Sequence, residues 1–325
     1  MIKFYESNVL IKTETSTYEK ADYNIYYRII SPENEIDIKA DIILAPSICV
    51  NVTHYNEVAY HLAENNFRVI LFDLPGTGLS SGLLRYGLDN YDSKDNSYLT
   101  TSTVYIYQQI LNGVLDDIFI KTNINKPKIS LGDSFGGFIG LYTQNVNRSQ
   151  MGYIENPSSI RNNFIANIIT NPILNIKNPN YSLIERLLIT VGLKSNKLYI
   201  YDVENLKNYN LISDLDRRFE FFRSTLKSSD YIDYKLFLKV FISKTLFNGD
   251  YIGLFNEQFC DNLLILQSKV DPLSDYQELK DKFDLYTAKN KKLIEYENYG
   301  HFILLEKDWK NITNEIINWI NEVLK

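Results

Sequence analysis

A mostly parallel α/β sheet flanked by helices, with a helical cap inserted late in the chain, is the fold class this sequence predicts. Three observations predict it. Short apolar runs without alternation suit strands covered on both faces, stretches of helical period separate them, and glycine-rich turns stand where two of the runs end. The 325 residues are 45% apolar and 23% charged, enough to bury a sizeable core and too apolar for a disordered chain.

Asp22 to Ile30, rich in Tyr and Ile, reads as a strand, and Asp41 to Leu44 as a second that leads into Ala45-Pro46. From Tyr55 the apolar residues Val58, Ala59, Leu62 and Ala63 recur every three or four positions, the period of a one-faced helix that stops at Asn65-Asn66. Arg68 to Phe72 is a buried strand ending in Asp73-Leu74-Pro75-Gly76-Thr77-Gly78. The loop from Ser81 to Thr101 is an exposed excursion. Val104, Tyr107, Leu111, Val114, Leu115 and Ile118 then mark an amphipathic helix. Ile129 to Leu131 is another buried strand, running into Gly132-Asp133-Ser134-Phe135-Gly136-Gly137 and a helix to about Gln144. Phe164 to Thr170, Asn262 to Gln267 and Lys292 to Tyr296 complete the buried strands before a terminal helix carrying Trp309, Ile312, Ile316, Ile320 and Val323. Between 171 and 259 the pattern changes to successive helical stretches, such as Leu183 to Val191 and Tyr231 to Phe247. The expected division is a first part of the core over 1–170, a helical cap over 171–259, and a second part of the core over 260–325.

A formal charge of −6 with no basic stripe excludes the electrostatic footprint of a nucleic-acid binder. Two cysteines, Cys49 and Cys260, give neither a disulfide framework nor a zinc spacing, and the opening residues lack a signal-peptide apolar stretch. A cytoplasmic location is expected. No apolar run reaches the roughly 18 to 20 residues of a membrane helix.

Chemistry enters at Gly132-Asp133-Ser134-Phe135-Gly136. The pattern G-x-S-x-G lies between an apolar strand and a helix, the setting of a nucleophile elbow, where small flanking residues let a strained serine project from a tight turn. The helix start beneath it aims the N–H of Phe135 at a developing oxyanion. A serine hydroxyl needs a base, and the three histidines are His54, His61 and His301. His61 sits within the first helix as a surface or boundary residue, and His54 just before it, as a capping or exposed residue. His301 follows the last strand, where the base of such a site belongs. Asp271, immediately after the Asn262 to Gln267 strand, is the carboxylate that orients the imidazole. Its alternative is a turn or capping residue, with Asp275 as the partner instead.

With these residues in place the chain resembles the α/β-hydrolase superfamily, in particular the lysophospholipase and monoacylglycerol-lipase-like serine hydrolases. The resemblance rests on Phe72-Asp73-Leu74-Pro75-Gly76-Thr77-Gly78-Leu79-Ser80-Ser81-Gly82, on Gly132 to Gly137, and on Asp271 with Gly300-His301-Phe302. It covers the core from about Ile42 onward, apart from the insertion. It implies a cap that roofs an acyl pocket, and a second oxyanion donor in the turn after the first core strand. That turn reads Ala45-Pro46-Ser47-Ile48-Cys49 instead of the family's His-Gly, so the donor is Ser47 or Ile48, since Pro46 has no N–H. Thr77 and Asp133 also replace histidines common in the family; Asp133 reads first as an ordinary solvated or turn-bonded carboxylate, with a charge that alters the electrostatics near the elbow as the alternative. Cys49 and Cys260 read as buried packing residues, with a secondary nucleophile as the alternative for Cys49. The aromatic residues of the insertion, including Tyr199, Tyr201, Phe221, Phe222, Phe237 and Phe241, read chiefly as its own core, with the lining of an acyl or aromatic pocket as their alternative.

The expected function is a serine hydrolase that cleaves a carboxylic ester of an acyl or lipid-like small molecule through an acyl-enzyme, without metal or organic cofactor. Thioesterase, acyltransferase or aminopeptidase-like chemistry on the same residues is the alternative, the last requiring carboxylates such as Asp214, Asp216 and Glu220 to hold an ammonium. A ligand-binding or signalling protein on the same fold is the alternative of another class.

Overall fold

A computed structural model of the chain describes residues 2–14, 20–47, 50–75, 77–81, 109–118, 126–137, 164–172, 210–228, 261–286 and 288–325. Its strands are β1 (Ile2–Glu14), β2 (Lys20–Pro32), β3 (Ala40–Ala45), β4 (Phe67–Phe72), β5 (Lys128–Asp133), β6 (Phe164–Thr170), β7 (Asn262–Ser268) and β8 (Asn290–Tyr296). They form one sheet of eight strands in the order β1-β2-β4-β3-β5-β6-β7-β8. The β1–β2 and β2–β4 pairs are antiparallel, and every other pair is parallel. The helices are α1 (Asn56–Glu64), α2 (109–118), α3 (Leu215–Ser228), α4 (Tyr276–Leu285) and α5 (Trp309–Val323).

Every residue of β3, β4 and β5 is buried, which is why Ile42 to Leu44 and Val69 to Phe72 read as apolar runs without alternation. Strand alternation sorts the flanking side chains. In β7, Leu264 and Leu266 join the large core with Val58, Ala59 and Leu62 of α1 and Ile312, Ile316 and Ile320 of α5, whereas Leu263 and Ile265 pack with Leu279 of α4. A buried Asp41–Arg68 ion pair, bonded twice at 2.7 Å, pins β3 to β4 near their N-terminal ends.

Two strands depart from expectation. β1 was not anticipated: along it Ile11 is buried while Phe4, Tyr5 and Leu10 are exposed, so this edge strand carries no apolar run. β8 is the opposite edge and is exposed or half-buried instead of buried. The helix to Gln144 is described only at 135–137, and the stretches 183–191 and 231–247, most of the loop 81–101, and Cys49 and Cys260 lie outside the described residues. Within 171–259 the described helix is α3, whose Phe221 enters the large core against Phe302, with ring centroids 5.2 Å apart, and whose Phe219 is exposed. Among the described residues no helix is long and apolar enough to cross a membrane.

The chain leaves β3 toward β4 on one side, and β5 lies on its other side, with Ala45 paired to Gly132 at the carboxyl ends. The sheet order thus opens a crevice at that point, the place where open α/β sheets bind ligands.

Candidate active site

Ser134 follows β5 with φ +55°, a left-handed conformation that a residue with a Cβ adopts only under constraint. The constraint is visible on both sides. A Cβ on Gly136 would overlap the carbonyl oxygen of Ala45, and one on Gly132 would overlap the backbone of Gly137. The N–H of Ser134 donates to the carbonyl of Thr170 at 2.8 Å, so the β5–β6 ladder extends to the serine itself.

The structure brings Ser134, His301 and Asp271 together although they are far apart in the chain. His301 Nε2 lies 2.7 Å from Ser134 Oγ, and His301 Nδ1 lies 2.8 Å from Asp271 Oδ2 and 3.0 Å from Oδ1. An ionised carboxylate only accepts, so Nδ1 carries the imidazole proton and Nε2 is left to accept the serine O–H. All three residues have zero exposure. Asp271 sits in an Asx turn at the end of β7: Oδ1 accepts from the N–H of Leu273 at 2.8 Å and of Ser274 at 3.3 Å, and Oδ2 from the Ser274 hydroxyl at 2.6 Å.

Burial pushes the Asp271 carboxyl up, but the His301 charge, its hydrogen bond and the Ser274 and Leu273 donors outweigh burial and hold it below the ordinary carboxylate value. Burial likewise pulls His301 down. The Asp271 charge and hydrogen bond, helped by Asp133, carry it above the ordinary histidine value.

Phe135 is buried at the start of the helical turn beyond the serine. The N–H of Ser47 donates to the Tyr55 hydroxyl oxygen at 3.3 Å, and Ile48 lies outside the described residues. Asp275 stands apart from the imidazole: its side chain accepts from the Glu278 N–H at 3.2 Å and caps α4. His54 closes a capping box with Asn51, packs against Phe221 with ring centroids 5.0 Å apart and the rings tilted by 54°, and is pulled down to about 4 chiefly by burial. His61 bonds Asn314 at 2.7 Å between α1 and α5.

Asp133 corrects the sequence reading. It is neither solvated nor turn-bonded but fully buried, accepting from the Tyr55 hydroxyl at 2.7 Å and the Thr170 hydroxyl at 2.5 Å. Burial raises it above the ordinary carboxylate value, against those two donors and the His301 charge. Thr77 uses its hydroxyl on the carbonyl of Leu74, and Asp73 holds the turn from both ends, accepting from the N–H groups of Val52 at 2.8 Å and Leu79 at 2.9 Å. Sequence reasoning also missed Ser274, Tyr55, Thr170 and Asn171. Only Ser274 left a trace, as a hydroxyl three residues beyond an Asp-Pro turn. Of the acidic residues on α3, Asp214 caps the helix by accepting from the Arg217 N–H at 3.0 Å, while Asp216 and Glu220 are exposed.

Among solved structures the chain is similar to a soluble variant of monoglyceride lipase from Saccharomyces cerevisiae, with 16% identity, a TM-score of 0.65, and 97% of this chain and 96% of that one covered. It is similar to the monoacylglycerol lipase of Paleococcus ferrophilus, with 17% identity, a TM-score of 0.60, and 92% and 99% covered. A thermophilic esterase from Thermogutta terrifontis aligns with 13% identity, a TM-score of 0.64, and 98% and 100% covered. No curated relative matches the chain by sequence. The sequence profile of the hydrolase family described as serine aminopeptidase, S33 matches residues 37–308, which spans the sheet from before β3 to the loop after His301. On that match and this sheet, the chain belongs to the S33 serine aminopeptidase family of α/β-hydrolases.

Proposed function

We propose that the protein is a serine hydrolase that cleaves a carboxylic ester of an acyl or lipid-like small molecule through an acyl-enzyme. The observation that carries this reading is the unbroken series from Ser134 Oγ to His301 Nε2 at 2.7 Å and from Nδ1 to Asp271 at 2.8 Å. As Ser134 Oγ bonds to the ester carbon, its proton passes to Nε2, and Asp271 stabilises the imidazolium. The oxyanion is met by the N–H of Phe135 and a second donor in the turn after β3. The Ser47 N–H is already directed at Tyr55, which favours Ile48 in that role. Nε2–H then protonates the departing alkoxide. Water attacks the acyl-enzyme with His301 again as base, and Ser134 leaves with its proton restored. The atoms balance without a metal or organic cofactor.

The reading extends to a helical cap over residues 171–259 that roofs the acyl pocket. It is supported by β6 ending at Thr170 and its neighbour β7 starting only at Asn262, with α3 between them. The alternative that the family description favours is an amidase or aminopeptidase using the same residues. The capping role of Asp214 and the exposure of Asp216 and Glu220 weigh against a buried ammonium site there.

The test is labelling with a fluorophosphonate, followed by turnover of p-nitrophenyl esters of increasing chain length, the matching thioesters and an aminoacyl p-nitroanilide. Labelling of the wild type and none of Ser134→Ala is expected, with esters turned over best. Labelling that survives Ser134→Ala rejects the nucleophile, and a preference for the anilide moves the assignment to the amidase. An unlabelled, inactive wild type would leave the chain a binding protein.

A further inference from the structure

We infer that Asn171 is a positioning residue that fastens the segments bearing Asp271 and His301 to the strand beside the nucleophile; the inference rests on the serine-hydrolase reading of that site. Among the described residues three non-glycine positions have positive φ: Asn66, Ser134 and Asn171. Asn66 follows α1, where a left-handed residue routinely ends a helix. Ser134 is the elbow. Asn171, at φ +40°, ends a central strand instead, and strain kept at such a position points to a role.

The bonds of Asn171 show what the conformation achieves. Its own N–H donates to the carbonyl of Leu266 in β7 at 2.9 Å. Its Oδ1 accepts from the N–H of Ser268 at 2.7 Å, three positions before Asp271. Its Nδ2 donates to the carbonyls of Gly300 at 3.0 Å and His301 at 2.6 Å. The preceding residue, Thr170, takes the N–H of Ser134. Within two adjacent residues, then, β6 holds the backbone of the serine, of the strand end before the acid, and of the base. Asn171 has zero exposure, so these bonds do not compete with water.

The residue type follows from the pattern. The site needs one acceptor and two donors on a short side chain, on a backbone that tolerates positive φ, and asparagine meets all three demands. Aspartate would set an oxygen against two carbonyl oxygens. Glycine would keep the backbone and lose every side-chain bond. A serine–histidine contact at 2.7 Å depends on where the histidine backbone is held, and small displacements of a catalytic group lower turnover far more than binding.

The experiment compares full-length wild type with Asn171→Gly and Asn171→Asp. It uses fluorophosphonate labelling rates, kcat and KM on the p-nitrophenyl ester that the wild type turns over best, the pH dependence of kcat/KM, and the thermal midpoint. Expected are losses of about tenfold to a hundredfold in kcat and in labelling rate, KM within about twofold of wild type, and, for Asn171→Gly, which adds no charge, an acid limb moved to lower pH as His301 loosens from Asp271. Variants that lose thermal stability yet keep wild-type kcat, labelling rate and pH limb overturn the inference. Asn171→Gln, which keeps the amide but displaces it by one methylene, carries the same readouts should the other two not fold. A wild type that is neither labelled nor active overturns the underlying reading; a labelled wild type with unaffected variants overturns the role of Asn171 alone.

Discussion

The Ser274 hydroxyl donates to Asp271 Oδ2 at 2.6 Å, the same oxygen that His301 Nδ1 meets at 2.8 Å. Ser274 Oγ in turn accepts from Gln267 Nε2 at 2.9 Å, so a buried chain of hydrogen bonds runs from Gln267 through Ser274, Asp271 and His301 to Ser134. The Asp271 carboxylate therefore shares its charge with a side-chain donor as well as two backbone N–H groups.

Removing that donor has a determinate sign. In Ser274→Ala the carboxylate charge is less shared, so Asp271 holds the imidazolium more firmly and His301 keeps its proton to higher pH. The acid limb of kcat/KM is expected to move upward, with a stability loss of about 1.5–3 kcal/mol in urea unfolding for a lost bond to a charged group. A limb that stays in place or moves down contradicts the arrangement. Ser274→Thr keeps the hydroxyl and is expected to restore the wild-type limb.

The wild-type pH dependence follows from the same pair. In the proposed mechanism His301 acts as a base only when neutral, and Asp271 with Asp133 raises its proton affinity above the ordinary value. Activity is therefore lost as pH falls through a limb lying above roughly 6.5. Asp271→Asn loses the charge and turns one acceptor oxygen into an NH2 that can donate to Nδ1, so the Nδ1–H tautomer is no longer fixed, and a drop of about 10⁴-fold in kcat is expected. Asp275→Asn, which alters only a helix cap, is expected to leave kcat near wild type. Rates for both, measured across pH 5 to 9, decide between the carboxylates.

His54 gives a prediction on stability instead of turnover. Its value in the folded protein is about 4, below the ordinary 6.5, because burial disfavours the cation. The unfolded chain takes up this proton first as pH falls, so stability is full above about 6.5 and is lost progressively toward pH 4. His54→Gln lacks that titration. The variant is expected to be less stable at pH 7, through lost packing on Phe221, with the gap to wild type narrowing by on the order of 1–3 kcal/mol at pH 4.5. Urea midpoints at the two pH values measure it; an unchanged gap contradicts it.

The buried strands were legible because a strand covered on both faces is dominated by apolar residues without alternation, as Ile42 to Leu44 of β3, Val69 to Phe72 of β4 and Leu263 to Leu266 of β7 are. The same reasoning passes over β1, an edge strand stabilised by pairing with β2 from Ile2 to Glu14 and not by burial. The convergence of Ser134 and His301 was legible where residue type follows from a strand end: serine between glycines, and the histidine after the last strand. It was not legible where a residue acts through a partner distant in sequence. Asp133 looks like any surface acid until Tyr55, 78 positions earlier, is seen to donate to it. Asn171 reads as a loop asparagine until its bonds reach residues 300 and 301.

The strain at Ser134 yields the last prediction, which separates the hydroxyl from the backbone. Ser134→Ala and Ser134→Gly both delete the proposed nucleophile and its bond to His301, and neither is expected to label or turn over. They differ in what they ask of φ +55°. Alanine keeps the Cβ and with it a cost of about 1–2 kcal/mol for a left-handed conformation. Glycine removes that cost but loses about 0.5–1 kcal/mol through the greater freedom of the unfolded chain. The difference leaves Ser134→Gly more stable than Ser134→Ala by up to about 1.5 kcal/mol, from those same two terms. Urea unfolding at pH 7 on the two inactive variants reads this difference directly. Equal stabilities, or a more stable alanine variant, would mean that the elbow carries no net backbone strain.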